Sequence, residues 1–319
     1  MWKTILRRIL LMIPQIIILS ILVFVLAKAM PGDPFTGKVT PQTSPSQIEA
    51  LKKAAGLFDP WYVQYFRWVK NIFHGDFGIS YQFKSPVLNL IASRAANTLW
   101  LSLATVILSY VIAIPLGVIA GRHENSKKDK AIQIYNYISY AIPAFVFYLL
   151  GLWLFGYVLG WFPTSGSVSV SAGGGLNYVF SRIYHMILPA LLMSLLSTTS
   201  VVQYLRSEII DSKNQDYVKT ARAKGVPEKK VFNRHILRNS LLPIAAFAGY
   251  SITGLLGGSI FVETVFAYPG MGLLFVDSIT NRDYSVITVL VLLYGILNLL
   301  GTLLSDIILS IVDPRIRIE

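Results

Sequence analysis

Residues 9–30 read Ile9-Leu10-Leu11-Met12-Ile13-Pro14-Gln15-Ile16-Ile17-Ile18-Leu19-Ser20-Ile21-Leu22-Val23-Phe24-Val25-Leu26-Ala27-Lys28-Ala29-Met30, an apolar run with one charge near its end. About 20 mainly apolar residues are needed for a helix to cross the hydrocarbon core of a bilayer. Every backbone N–H and C=O in that core must be bonded within the segment, so the run is predicted to be a membrane-spanning helix. Lys3, Arg7 and Arg8 before it and Ala27-Lys28-Ala29 at its end have the outline of a secretory signal. Its apolar stretch exceeds the roughly 7–15 residues of a signal core, so it is expected to be retained as the first span. Five further stretches meet the same length test: 97–120, 132–158, 184–204, 241–262 and 286–312. The predicted fold is therefore an all-α polytopic membrane protein with six transmembrane helices.

Composition agrees. Of 319 residues, 54% are hydrophobic and 14% charged, against roughly 25% charged in soluble domains, and the mean hydropathy is +0.58. Cysteine is absent, which excludes disulfides and thiolate metal sites, and the four histidines are scattered. The formal charge of +12 would suggest nucleic acid in a soluble chain, but its placement gives another meaning. Eighteen Lys/Arg lie in segments on the N-terminal side of the membrane, and only Arg182 and Arg282 lie in short segments on the opposite side. By the positive-inside rule both termini are expected in the cytoplasm, and nucleic acid drops out as a partner. The chain then divides into residues 1–30 (cytoplasmic start and first span), 31–96 (external), 97–312 (five spans, with a cytoplasmic loop at 205–240) and a tail at 313–319.

Within the external segment, Ser44-Pro45-Ser46-Gln47 is a capping box expected to open a helix that ends at Gly56. A second helix is expected from Asp59-Pro60, with Trp61, Tyr62, Tyr65, Phe66, Val69, Ile72 and Phe73 on one face. That face suits packing on the protein's rim or in the headgroup layer, or docking of an external partner. The later loop with Gly166-Ser167 and Gly173-Gly174-Gly175 reads as a mobile connection. In the cytoplasmic loop, 211–224 is polar and helix-compatible, Gly225 and Pro227 break it, and 228–242 returns to the membrane. Two short helices at an angle would form a finger. Ala221, Ala223 and Gly225 are small enough to let another protein approach its backbone.

Polar positions within the spans have two readings. Thr98, Ser102, Thr105 and Ser109 share one face of the second span; Ser194, Ser197, Thr198 and Gln203 lie in the fourth, and Gly249, Thr253 and Gly257 in the fifth. They suit the lining of a polar pathway, for which Thr98, Ser102, Thr105, Ser109, Ser194, Thr198 and Thr253 are the candidates. Small and hydroxyl residues also pack helices together in lipid. No Gly-x4-Gly-Lys-Ser/Thr phosphate loop occurs, so ATP chemistry would have to come from another chain. Lys28 and Glu263 stand at span edges, where snorkelling explains them. Asp306 lies about two turns from the end of the last span and is expected to be water-exposed or partnered. An ion-driven carrier would ordinarily keep more ionisable groups deep in its spans.

The run Lys219-Thr220-Ala221-Arg222-Ala223-Lys224-Gly225 resembles the "EAA" loop of ABC importer permeases, with Lys219 where glutamate is usual. Together with His235-Ile236-Leu237-Arg238-Asn239-Ser240-Leu241-Leu242-Pro243 it is similar to the oligopeptide/dipeptide (and nickel) branch. Arg7-Arg8 with Pro31-Gly32-Asp33-Pro34, Gly75-Asp76-Phe77-Gly78-Ile79-Ser80, Glu263-Thr264-Val265-Phe266 with Pro269-Gly270-Met271-Gly272, and Arg282-Asp283-Tyr284 resemble the branch's B-type subunit. The resemblance implies a type I transmembrane domain in the bacterial cytoplasmic membrane that hydrolyses nothing itself. It implies a C-type second permease, two cytosolic ATPases carrying ATP and Mg, and an extracytoplasmic peptide-binding protein. No cofactor or metal is expected on this chain. Asp216, Thr220, Ala221, Ala223 and Gly225 would form the coupling helix seated in an ATPase groove, and the cargo would be oligopeptide. Nickel or another small solute is the alternative, and a solitary ion-coupled carrier a more distant one.

Overall fold

The computed structural model describes residues 2–29, 46, 49–50, 53, 56, 58–80, 82–244 and 260–312. The described residues are almost entirely helical. The elements are α1 (Trp2–Ala29), α2 (Trp61–Phe73), α3 (Val87–Arg122), α4 (Lys127–Ala141), α5 (Ala144–Gly151, running on as a π-type turn over Leu152–Val158) and α6 (Leu176–Lys213). Then come α7 (Asp216–Ala223), α8 (the consecutive stretches Glu228–Lys230, Val231–Leu237 and Arg238–Ser240), α9 (Ile260–Val265), α10 (Met271–Thr280) and α11 (Tyr284–Val312). Among the described residues four helices are long and apolar enough to cross a membrane, in Leu6–Ala29, Val87–Arg122, Leu176–Lys213 and Tyr284–Leu304. A fifth crossing is possible through α4 and α5. Most of the expected span 241–262, with Gly249, Thr253 and Gly257, lies outside the described residues, as do Ser44, Pro45 and Gln47 of the capping box and the side chain of Asp306.

The span expected over 132–158 is not one straight helix. α4 and α5 meet at 103°. Pro143 crowds the residue before it out of the helical region, and Ile142 is extended at φ −81, ψ 123. Prolines 14, 115 and 189 lie inside continuous helices, so the break is particular to this position.

α3 and α6 form the centre of the bundle. They run parallel and hold one register throughout: Thr105 meets Met193, Gly117 meets Leu205, and Gly121 meets Ile209. A Cβ on Gly121 would strike the Ile209 side chain, so the glycines set how closely the two helices approach. Leu101, Leu188, Leu192 and Tyr148 fill the middle of the protein with Val262, Phe266 and Tyr268. α1 lies on α11, where Gly295 admits Leu19.

α2 leans on α1. The Ser20 and Tyr65 hydroxyls are 2.8 Å apart, and Phe24 meets Tyr65 and Trp68 at 5.5 and 5.9 Å between ring centroids. Ser20 and Phe24 stand five to nine residues inside the end of α1, or roughly 8–14 Å at the helical rise of 1.5 Å per residue. α2 is thus sunk beside the bundle's rim, with Trp61, Tyr62, Phe66 and Phe73 exposed on its outer side. The Gly-rich loop is tied down where the Gly166 N–H donates to the Phe266 carbonyl at 3.1 Å and the Ser169 N–H to Ser181 Oγ at 2.8 Å.

α4 is fastened to α6 by a bidentate pair. Arg206 Nε and Nη2 donate to Asp129 Oδ1 and Oδ2, each at 2.8 Å. Asp129 also accepts the Asn125 N–H at 2.8 Å, while Ser126 caps α4. The Asp129 side chain is 3% exposed and that of Arg206 23%. Removing one partner of such a pair leaves a charge without compensation, so Arg206→Ala should lower stability by about 3 kcal/mol. The double change Asp129→Leu/Arg206→Met should regain most of it. Unfolding of the purified variants in detergent measures both, and a double variant no better than the single one would remove this account.

Candidate functional site

α6 carries the chain beyond the bundle and ends at Lys213. Lys213 Nζ donates to the carbonyls of Gly121 and Arg122 at 2.5 and 3.0 Å, where a cation meets the unsatisfied carbonyls at the end of α3. After an extended Gln215 (φ −74, ψ 150), α7 begins at Asp216. Val218 and Ala221 face inward with Leu205, Ile209, Val231, Phe232 and Ile236. The C-terminus of α7 is a Schellman motif. The Gly225 N–H donates to the Arg222 carbonyl at 2.9 Å and the Val226 N–H to the Ala221 carbonyl at 3.2 Å. Gly225 takes φ +74, which glycine adopts without a Cβ penalty.

The turn is closed by Arg222, whose guanidinium donates twice to Glu228 at 3.0 and 2.7 Å. The same hydrogen bonds hold the Glu228 carboxyl below the usual carboxylate range. Arg122 lies 4.8 Å over the Phe232 ring. Ser240 Oγ lies 3.0–3.1 Å from the carbonyls of Ile236 and Glu208 and from Ser212 Oγ, which joins α8 to α6. The result is a braced finger at the basic end of the bundle.

Of the residues expected on its contact face, Asp216, Thr220, Ala223 and Gly225 are exposed, while Ala221 is buried at 6%. Ala221 is small because the finger's own core requires it. Gly225 is accounted for by its φ, and a Cβ there would meet nothing within 4 Å. Tyr217, 40% exposed, stands on the same outer side as Thr220 and Lys224. Its spacing of three from Thr220 and seven from Lys224 is the signal that sequence reading passed over.

The opposite end is organised around a carboxylate. Glu263 is fully buried, which corrects the snorkelling expectation. It accepts the Thr98 hydroxyl at 2.8 Å and the N–H groups of Gly272 and Leu273 at 2.7 and 3.0 Å. Thr98 Oγ1 in turn accepts the Met271 N–H at 2.8 Å. The first three N–H groups of α10, which a helix cannot satisfy itself, are thereby taken by two side chains from α9 and α3. Gly270 stands at the cap because a Cβ there would run into the Glu263 carboxylate, and one on Gly272 would lie 2.9 Å from the Ile260 backbone. Asn97 donates to the Pro269 carbonyl at 2.9 Å and accepts from Arg182 at 2.9 Å, tying α6 to the same knot. Nearby, Asp283 Oδ2 accepts the Ser80 hydroxyl at 2.5 Å and the Gln82 N–H at 3.2 Å. The Gly75–Ser80 stretch is therefore held to the start of α11, although 203 residues separate Ser80 and Asp283.

The hydroxyl face of α3 turns inward. Thr98, Ser102, Thr105 and Ser109 are at most 8% exposed and continue through Ala113 and Gly117 along the seam with α6. Ser194 and Thr198 are also buried and bond to the carbonyls of Leu191 and Leu195. Ser197, Ser200 and Tyr204 make up an exposed stripe on α6.

A helical membrane subunit with a braced finger at one end and a capped knot at the other is the class of protein that these features define. Residues 113–318 match the family model of the binding-protein-dependent transport system inner membrane component, and residues 1–104 match the corresponding N-terminal model. The chain belongs to this family, whose members are transport permeases, and it is a multi-pass membrane protein. It is 43% identical to the oligopeptide transport system permease protein AppB of Bacillus subtilis, over 98% of each chain. It is 35% identical to the dipeptide transport system permease protein DppB of Lactococcus lactis subsp. cremoris, over 100% of both. It is 34% identical to the glutathione transport system permease protein GsiC of Escherichia coli K12, over 99% of both. A chain of the inward-facing MetNI methionine ABC transporter shares the fold, with a TM-score of 0.56 and 16% identity over 70% of this chain and 96% of that one.

Proposed function

We propose that this chain is the B-type permease subunit of an ABC importer for oligopeptides. The observation that carries the reading is the 43% identity, over 98% of both chains, to an oligopeptide permease. With a C-type permease it forms the pathway. Two cytosolic ATPases bind ATP and Mg, and an extracytoplasmic binding protein delivers the peptide. No cofactor is assigned to this chain. The eighteen Lys/Arg of the basic segments support cytoplasmic termini and a cytoplasmic finger. Asp216, Tyr217, Thr220 and Ala223 then face the ATPase, and Gly225 marks the end of that contact. ATP-driven closure moves the two fingers and swings the subunits between inward- and outward-facing states.

Co-purification from native membranes should yield a second permease and two ATPases. In proteoliposomes the assembled complex should import peptides only with ATP and the binding protein. Uptake by the single chain under a proton gradient, without ATP, would replace this reading with an ion-driven carrier. ATP-dependent uptake of nickel but not of peptides would change the cargo.

A further inference from the structure

The break between α4 and α5 interrupts the stretch 132–158 that reads as a span. It lies beside Ser200, four residues inside the end of the expected span 184–204, or about 6 Å at 1.5 Å per residue. Pro143 has no N–H to offer the Ser139 carbonyl four residues earlier. The end of α4 therefore carries the partial negative charge of a helix C-terminus. Irregular backbone at this depth is stable only where protein buries it or water reaches it. Here Tyr140 is 64% exposed, and Pro143 is exposed too.

Hydroxyls gather beside the break. Tyr140 Oη lies 3.5 Å from Ser200 Oγ, both exposed, and joins α4 to the outer stripe of α6. Ser197 stands one turn along that stripe, and Tyr137, 66% exposed, one turn along α4. The flanking positions Ser194, Thr198 and Val202 are buried, so the exposed stripe is a distinct face. No Asp, Glu, Lys or Arg occurs in 131–141 or 188–205.

We propose that Tyr137, Tyr140, Ser197 and Ser200, with the open carbonyl end of α4, form a contact station for the main chain of the transported peptide. The proposal rests on the peptide-import reading above. Hydroxyls can both donate and accept, so they can serve either side of a peptide bond. The negative end of α4 favours N–H groups and a terminal ammonium. The nearest charge, Arg206 close to Tyr137, is held by Asp129, and the station's own groups are uncharged, so it reads what oligopeptides, dipeptides and glutathione have in common, the amide linkage.

Because the chain has no cysteine, single cysteines report cleanly. In the assembled importer, Tyr140→Cys, Ser197→Cys and Ser200→Cys should react with a membrane-impermeant thiol reagent, and saturating trialanine should slow them several-fold. Ser194→Cys, which is buried, and Ile107→Cys, on an exposed apolar face, should not react. If the three station cysteines stay as unreactive as Ile107→Cys in every nucleotide state, the face meets lipid and the proposal fails. If they cross-link to the second permease without ever labelling, it is a subunit interface and the proposal fails equally. As a second measure, the double variant Tyr140→Phe/Ser200→Ala should lose about tenfold in trialanine uptake at limiting substrate, with the same amount of complex recovered. That loss corresponds to ~1.4 kcal/mol. Uptake within twofold of the parent would overturn the station. Absence of peptide uptake by the parent complex would instead overturn the proposed function.

Discussion

Glu263→Ala is expected to abolish accumulation of folded protein. The change leaves the Thr98 hydroxyl and the N–H groups of Gly272 and Leu273 without their acceptor in a fully buried place. Each buried donor left unpaired costs about 1–3 kcal/mol, so three together approach the ~5–15 kcal/mol that holds a typical protein folded. The missing carboxylate also leaves a void beside Gly270, where the chain has no side chain to fill it. Glu263→Gln separates charge from shape. Its amide keeps one accepting oxygen but turns donors toward donors, so it should fall between the parent and the alanine variant. Recovery of monodisperse protein and its unfolding temperature in detergent provide the measurement. An alanine variant with parental yield and unfolding temperature would show that the knot does not depend on this carboxylate.

The second large effect is expected at Gly225. Gly225→Ala and Gly225→Trp share the same backbone strain at φ +74, about 1–2 kcal/mol. Neither meets an atom of this chain near the Cβ position. With membrane insertion and unfolding temperature equal, a difference between them reports on something outside the chain. Gly225→Ala should retain most uptake, and Gly225→Asn more still, because asparagine tolerates this conformation. Gly225→Trp should reduce both uptake and binding-protein-stimulated ATP hydrolysis by at least a hundredfold at equal membrane insertion. Equal behaviour of the Ala and Trp variants would remove the ATPase from this side of the finger.

Much of this was legible in the residues themselves. The long apolar runs mark α1, α3, α6 and α11, and Asp59-Pro60 marks the start of α2, because length and helix-start chemistry are local properties. The finger's outline followed from Gly225 and Pro227 for the same reason. What escaped notice depended on contacts made at a distance. Glu263 reads as an edge charge because its partner Thr98 stands 165 residues earlier. The only local hint was the pair Gly270 and Gly272, seven and nine residues on. Ala221 reads as part of the outer face because α7 has only eight residues, too few for its polar sequence to show which side is inward. The break at Pro143 was invisible among prolines that other helices absorb. The α3 hydroxyls were ambiguous because a seam and a lining ask for the same small polar residues.

The constant register between α3 and α6 has a mechanical meaning. Two helices that interlock through Gly117 and Gly121 at one end and Asn97 and Arg182 at the other resist sliding against each other. They behave as a laminated beam, far stiffer than two separate rods. α6 alone, with 38 residues, is about 57 Å long at 1.5 Å per residue. A tilt applied at the finger is therefore delivered to the Glu263 knot as displacement and is little dissipated as bending on the way.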